Sequence, residues 1–182
     1  MHTIASFDIG KKNFAWYIER IYNNKSITVL DMKVFSFQNR NELFDIFCSN
    51  KEIWNKCDYF IIENQQRFRV KNNIIMIQIA EATFSWFLIN YPNKIITYFN
   101  PSHKIKCFVR KKMTYKERKK WTVSKCREYF LEKNMISFVD FYDGKVYTSP
   151  CPEFIKKINT KKLDDISDAC MQCQAFKLMN KI

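Results

Sequence analysis

Apolar and polar residues alternate in three stretches near the N-terminus. Residues 4–9 (IASFDI), 13–19 (NFAWYIE) and 26–35 (SITVLDMKVF) are short and rich in β-branched or aromatic side chains, the pattern of strands. Gly10-Lys11-Lys12 is a short turn between the first two, so the opening reads as an antiparallel meander. Residues 41–54 place Leu43, Ile46, Phe47 and Trp54 on one helix face, and 58–64 (DYFIIEN) suit a strand buried on both faces. A long helix is expected over 74–90, where Gln78, Glu81 and Ser85 form one narrow polar stripe. A helix apolar nearly all round must bury more than one face. One face can lie on a sheet; the other needs either a partner subunit or the interior of one large domain.

Pro92 ends that helix, and 94–100 (KIITYFN) form a further strand closing at Pro101. Thr114 and Glu117 have capping-box spacing, which opens a helix running to about Lys133 with Trp121, Cys126, Tyr129 and Phe130 turned inward. Residues 136–162, with Pro150 and Pro152, read as an irregular loop or insertion. A last helix runs from about Lys162 to Met179. Strands that are first consecutive and then alternate with helices predict an α/β fold, a mixed sheet covered by helices. With two glycines and four prolines in 182 residues, no flexible linker is visible and a single domain is expected.

Composition narrows the function. Hydrophobic residues at 47% and aromatics at 16% exclude disorder. Lys and Arg number 31 against 18 acids, a net charge of +13 that calls for a polyanionic partner. No apolar run approaches the roughly 20 residues of a spanning helix, so nucleic acid is favoured over a membrane. MHTIASFDIG has no basic region leading into an apolar stretch and is not read as a secretory signal. The seven cysteines therefore read as reduced thiols of an intracellular protein. Cys170 and Cys173 form a CxxC pair without a second pair at zinc spacing, and they fit the apolar face of a helix.

In so basic a chain the informative acids are those set in apolar surroundings. Asp8 lies inside ASFDIG and Glu63 ends YFIIEN; a carboxylate in a buried strand is costly unless paired or bound to metal. Asp165 and Asp168, in LDDISDAC, project from one side of a helix, away from Leu163, Ile166, Cys170 and Cys173. Acids at a helix start also suit its dipole. Four such acids at one sheet edge would repel one another without cations. Mg²⁺ prefers hard oxygen ligands, and two ions about 4 Å apart can activate water and stabilise a leaving 3′ oxygen. Asp8 can bridge the metals, Glu63 and Asp168 can complete separate shells, and Asp165 can ligate or position water.

FDIGKKNFAW (7–16), IIENQ (61–65), NPSHKIKCF (100–108) and DDISDA (164–169) together give a resemblance over nearly the whole chain, to about Ala175. The chain resembles the RuvC-like Holliday junction resolvases, most closely those of poxviruses and related large DNA viruses. The resemblance implies an RNase H-like mixed five-stranded sheet with helices on both faces, a homodimer, and paired symmetric nicks in four-way and other branched DNA. It implies dependence on Mg²⁺, for which Mn²⁺ can substitute, and a site made of Asp8, Glu63, Asp165 and Asp168. It also implies resolution of intermediates such as viral concatemers, in host cytoplasm or a virus factory. A family lysine follows a proline in a PxxVK-like segment. Here Lys104 and Lys106 both follow Pro101, and Ile105-Lys106 fits the hydrophobic-Lys pattern better, which favours Lys106 to hold the scissile phosphate or the attacking water.

Three basic clusters flank these motifs: Arg67, Arg69 and Lys71; the run from Lys104 to Lys120, including Arg110, Lys111 and Lys112; and Lys156, Lys157, Lys161 and Lys162. They can hold a duplex arm through its phosphates. Phe68, between two arginines, can stack on unpaired bases where arms meet, or can face the core. No base-reading motif is visible, so branched shape is the expected target. Two other readings remain: an RNase H-like nuclease acting on RNA–DNA hybrid or RNA, and a non-catalytic DNA-binding protein. An actin-like ATPase would need further glycine-rich phosphate loops, which two glycines cannot supply.

Overall fold

The computed structural model describes residues 1–65, 73–109, 112–145, 152–156, 158 and 163–182. Arg67, Phe68, Arg69, Lys71, Arg110 and Lys111, the expected DNA contacts, lie outside these residues. The N-terminal meander forms as β1 (His2–Asp8), β2 (Phe14–Ile21) and β3 (Ile27–Phe35), each antiparallel to the next. Gly10 makes the first turn possible: a Cβ there would stand 2.7 Å from the carbonyl oxygen of Asn13. β4 (Tyr59–Glu63) and β5 (Ile95–Phe99) then add in parallel on the other side of β1, giving the order β3-β2-β1-β4-β5. Parallel neighbours need crossovers. The first carries α1 (Arg40–Cys48) and α2 (Lys51–Trp54), and the second carries α3 (Asn73–Asn90).

Side-chain alternation divides the core into two layers, one on each face of the sheet. Phe7, Phe14, Trp16 and Phe60 meet Phe47, Trp54, Trp86 and Phe87 of the first three helices. Ile4, Ala15, Tyr17 and Ile61 meet side chains from α5 (Tyr115–Glu132), α6 (Ile136–Asp143) and α8 (Leu163–Asn180). The expected mixed sheet with helices on both faces is present. The capping box of α5 is also formed, with Thr114 and Glu117 bonding reciprocally.

Three stretches differ from the sequence reading. The helix expected over 41–54 is two helices, broken at Ser49 and Asn50. Residues 101–106, where the sequence pattern predicts no element, form α4 (Pro101–Lys106), capped by Asn100 and begun by Pro101. Residues 136–162, taken as irregular, contain α6 and the short α7 (Glu153–Lys156). α6 buries even its polar residues Ser137 and Asp140, so its pattern does not mark a solvent face. It ends at Gly144, which adopts a left-handed φ of 64°.

α3 lays Ile79, Ala80, Thr83, Trp86 and Phe87 on the sheet, but Ile74, Ile75, Leu88 and Ile89 stay exposed beside its polar stripe. The side of α3 turned away from the sheet is thus its polar stripe, with Ile74, Leu88 and Ile89 on the same side at the helix ends. Among the described residues no helix is long and apolar enough to cross a membrane. Six cysteines are free thiols there, and Cys170 and Cys173 are enclosed in the apolar core.

α8 is the most enclosed helix, buried from Ile166 to Phe176 apart from half-buried Asp168. Its buried polar side chains are all engaged. The Gln174 amide donates to Glu19 at 3.0 Å, and the hydroxyls of Tyr17 and Tyr129 donate to the same carboxylate at 2.7 and 2.8 Å. The partly buried Lys177 ammonium completes the set as the counter-ion of the fully buried Glu19. Lys177→Met would leave the charge of Glu19 buried without its cation, and is expected to cost about 3 kcal/mol. At this chain length the melting temperature should fall by about 6–12 °C. Urea unfolding checks this, and the double variant with Glu19→Gln should recover part of the loss.

Candidate active site

The strand pattern dictates where the first two acids go. Alternation places Ile4, Ser6 and Asp8 of β1, and Tyr59, Ile61 and Glu63 of β4, on the face that α8 covers. The register pairs Phe7 with Ile62, so Asp8 and Glu63 follow at the C-terminal ends of adjoining parallel strands. Open α/β sheets form their clefts at such ends. α8 then brings Asp165 and Asp168, one turn apart, to the same place. Asp8, Glu63, Asp165 and Asp168 line one cleft with Gln65, Lys104, Tyr115, Arg118, Lys119 and Thr122.

Two glutamines that the sequence reading passed over set this geometry. The Gln172 amide nitrogen lies 3.1 Å from the Ser6 hydroxyl and 3.2 Å from the carbonyl oxygens of both Phe7 and Ile61. It ties α8 to the two strands that carry Asp8 and Glu63, one turn after Asp168. Gln65 donates to Glu63 at 2.8 Å and orients that carboxylate.

Lys104 and Lys106 separate clearly. α4 begins at the end of β5 and lowers Lys104 into the cleft, with its Nζ 2.9 Å from Asp168 and 3.7 Å from Glu63. Lys106 lies about 200° further round the helix and is exposed. The expectation that Lys106 joins the acids is corrected: Lys104 does, because the segment is helical and not a loop. Burial pulls the pKa of Lys104 down, but Asp168, Glu63 and Asp8 outweigh it and hold the ammonium above its ordinary range. Lys112 is exposed near the start of α5, and Lys156 is exposed on α7, where it pairs with Glu153 at 2.6 Å.

Asp8 experiences the opposite pressure. Burial raises its pKa well above the usual carboxylate range, and Glu63, Asp168 and Asp165 add to this while Lys104 opposes it. One lysine does not neutralise four carboxylates. The donor set is all hard oxygen, which fits Mg²⁺ or Mn²⁺. Among the described residues the acids do not close into a preformed ligand cage; Lys104 stands between Glu63 and Asp168.

No protein-family model matches the chain. An uncharacterized protein, 97L, from Invertebrate iridescent virus 3 is 22% identical over 139 residues, 76% of this chain. The match spans 57% of the length of that viral relative. Three solved structures align over almost the entire chain. The fowlpox virus resolvase, in complex with substrate Holliday junction DNA, has a TM-score of 0.58 at 19% identity, covering 99% of both chains. The yeast mitochondrial Holliday junction resolvase Ydc2 reaches 0.64 at 13% identity, covering 98% of this chain and 78% of its own. The chain has the fold of the RuvC-like Holliday junction resolvases. RuvC of Thermus thermophilus, also in complex with a Holliday junction substrate, agrees at 0.57 with 12% identity, over 99% and 97% of the chains. At these identities the likeness is one of fold, and the resolvase fold is the mixed sheet with its two helical layers.

Proposed function

We propose that this protein is a metal-dependent endodeoxyribonuclease that resolves four-way DNA junctions. The observation that carries this reading is the convergence of Asp8, Glu63, Asp165 and Asp168 around Lys104, in a chain of net charge +13. Neighbours of the same fold solved on Holliday junction DNA support that substrate. Asp8, Glu63, Asp165 and Asp168 would hold two Mg²⁺ ions, with Mn²⁺ able to substitute, and Gln65 keeps Glu63 turned toward them. When bound, the ions supply Lewis acidity toward the scissile phosphate and lower the pKa of water. The chain's own part is to orient and to exclude alternatives. Lys104 holds a non-bridging phosphate oxygen in place of its present carboxylate partners. The reaction is hydrolysis: water adds to phosphorus, the bond to the 3′ oxygen breaks, and that oxygen takes up a proton.

Paired nicks require two such sites facing opposite strands. The uncovered face of α3, with Ile74, Ile75, Leu88 and Ile89 exposed, supports a homodimer. The viral relative supports an intracellular, reducing location.

The deciding experiment is cleavage of a labelled four-way junction in Mg²⁺, beside linear duplex and RNA–DNA hybrid, with the protein's mass in solution read by light scattering. Symmetric nicks confined to the junction, lost with EDTA, from a particle of twice 22.1 kDa are expected. Preferential cutting of the hybrid by a monomer would replace this reading with an RNase H, and binding without cutting would replace it with an architectural protein.

A further inference from the structure

The floor of the cleft is acidic and by itself repels DNA. Its opposite wall is the start of α5, where Tyr115, Arg118 and Lys119 line the same cleft as the four acids. The three side chains form a unit. Tyr115 is 66% exposed, with the Arg118 guanidinium 5.9 Å and the Lys119 ammonium 5.3 Å from its ring centre. The reciprocal bonds of Thr114 and Glu117 fix the helix turn on which they stand. Lys119 is spoken for: it pairs with Asp164, at the head of α8 beside the acidic pair. Among the described residues no carboxylate forms an ion pair with Arg118. The wall thus presents one exposed aromatic ring and one guanidinium without a carboxylate partner to whatever enters the cleft.

These two groups read different features of DNA. A guanidinium binds any backbone phosphate, branched or not. An aromatic ring needs an open base face, and stacking on bases is indifferent to sequence. In continuous duplex every base face is covered by its neighbour; at a strand exchange point the stack is interrupted. We propose that Tyr115 stacks on the base left open at the branch point and so supplies selectivity for branched DNA, while Arg118 holds a phosphate next to the scissile one. This rests on the nuclease reading above, and it gives branch selection to α5, in the wall of the cleft itself.

The test is binding by fluorescence anisotropy to a four-way junction and to linear duplex of equal length, with Ca²⁺ in place of Mg²⁺. Tyr115→Ala is expected to weaken junction binding about tenfold and leave duplex binding unchanged; Tyr115→Phe should restore the junction value. Arg118→Gln should weaken both by the same factor and lower the salt slope by about one. Because Tyr115 is exposed, all three variants should melt with the wild type. Equal losses on junction and duplex for Tyr115→Ala, no loss on either, or failure of Tyr115→Phe to restore binding would overturn the assignment. Wild-type protein without preference for the junction would overturn the resolvase reading and the assignment together, an outcome seen before any variant is made.

Discussion

Asp8→Asn is expected to abolish junction cleavage while junction binding survives. Burial, Glu63, Asp168 and Asp165 disfavour the charge of Asp8, and Lys104 supports it. A divalent cation beside these acids would favour the charged form. Asparagine keeps the shape and one oxygen but removes the charge. Partners that merely orient a metal ligand are worth about 10–100-fold, so loss of a central ligand should cost at least about a hundredfold. Binding should hold or tighten slightly, because the change deletes a negative charge from a cleft that receives a polyanion. Denaturing gels of a labelled junction read the cleavage, and anisotropy reads the binding. Full cutting by the variant would sink the metal assignment.

The second large effect separates two lysines two residues apart. Lys104→Met should lower cleavage about a hundredfold, the scale of one lost charge-stabilising donor. Lys106→Met should leave it near wild type. Lys104 also balances the acids before any ion enters: its side chain is 8% exposed, Glu63 is 15% and Asp168 is 25% exposed. Breaking this contact should lower stability in EDTA by about 2 kcal/mol, below the full cost of a buried pair because the acids are partly hydrated. Added Mg²⁺ should return most of that loss. The reverse pattern, with Lys106 essential and Lys104 dispensable, would restore the hydrophobic-Lys reading of Ile105-Lys106.

The sheet was legible because alternation is a local property. β1, β2 and β3 lie where apolar and polar residues alternate, β4 and β5 lie on short apolar runs, and α5 announced itself through Thr114 and Glu117. α4 and α6 failed for different reasons. α4 is only six residues long, too short for a period, although Asn100-Pro101 carries a start signal. α6 is only eight residues long, and its polar residues Ser137 and Asp140 are buried with the apolar ones. In the site, the acids stood out as charges in apolar company. Lys104 did not, because its burial depends on α4 being a helix. Gln172 was invisible because its partners are 165 and 111 residues away in sequence, on two different strands. The split of α3 into a covered and an open face likewise needed the tertiary structure.

Gln172 has a consequence for how this chain can change. The helix that carries Asp165 and Asp168 is clamped to Ser6, Phe7 and Ile61 one turn later. Adding or removing one residue between the acids and that clamp would swing both carboxylates about 100° around the helix axis and shift them about 1.5 Å along it. The alternative, keeping the acids in place, would drag the whole enclosed half of α8 out of register with the core. No loop within this stretch can absorb the slip. α8 therefore acts as the molecule's ruler: its side chains can be exchanged, but the distance from acid to clamp cannot be edited.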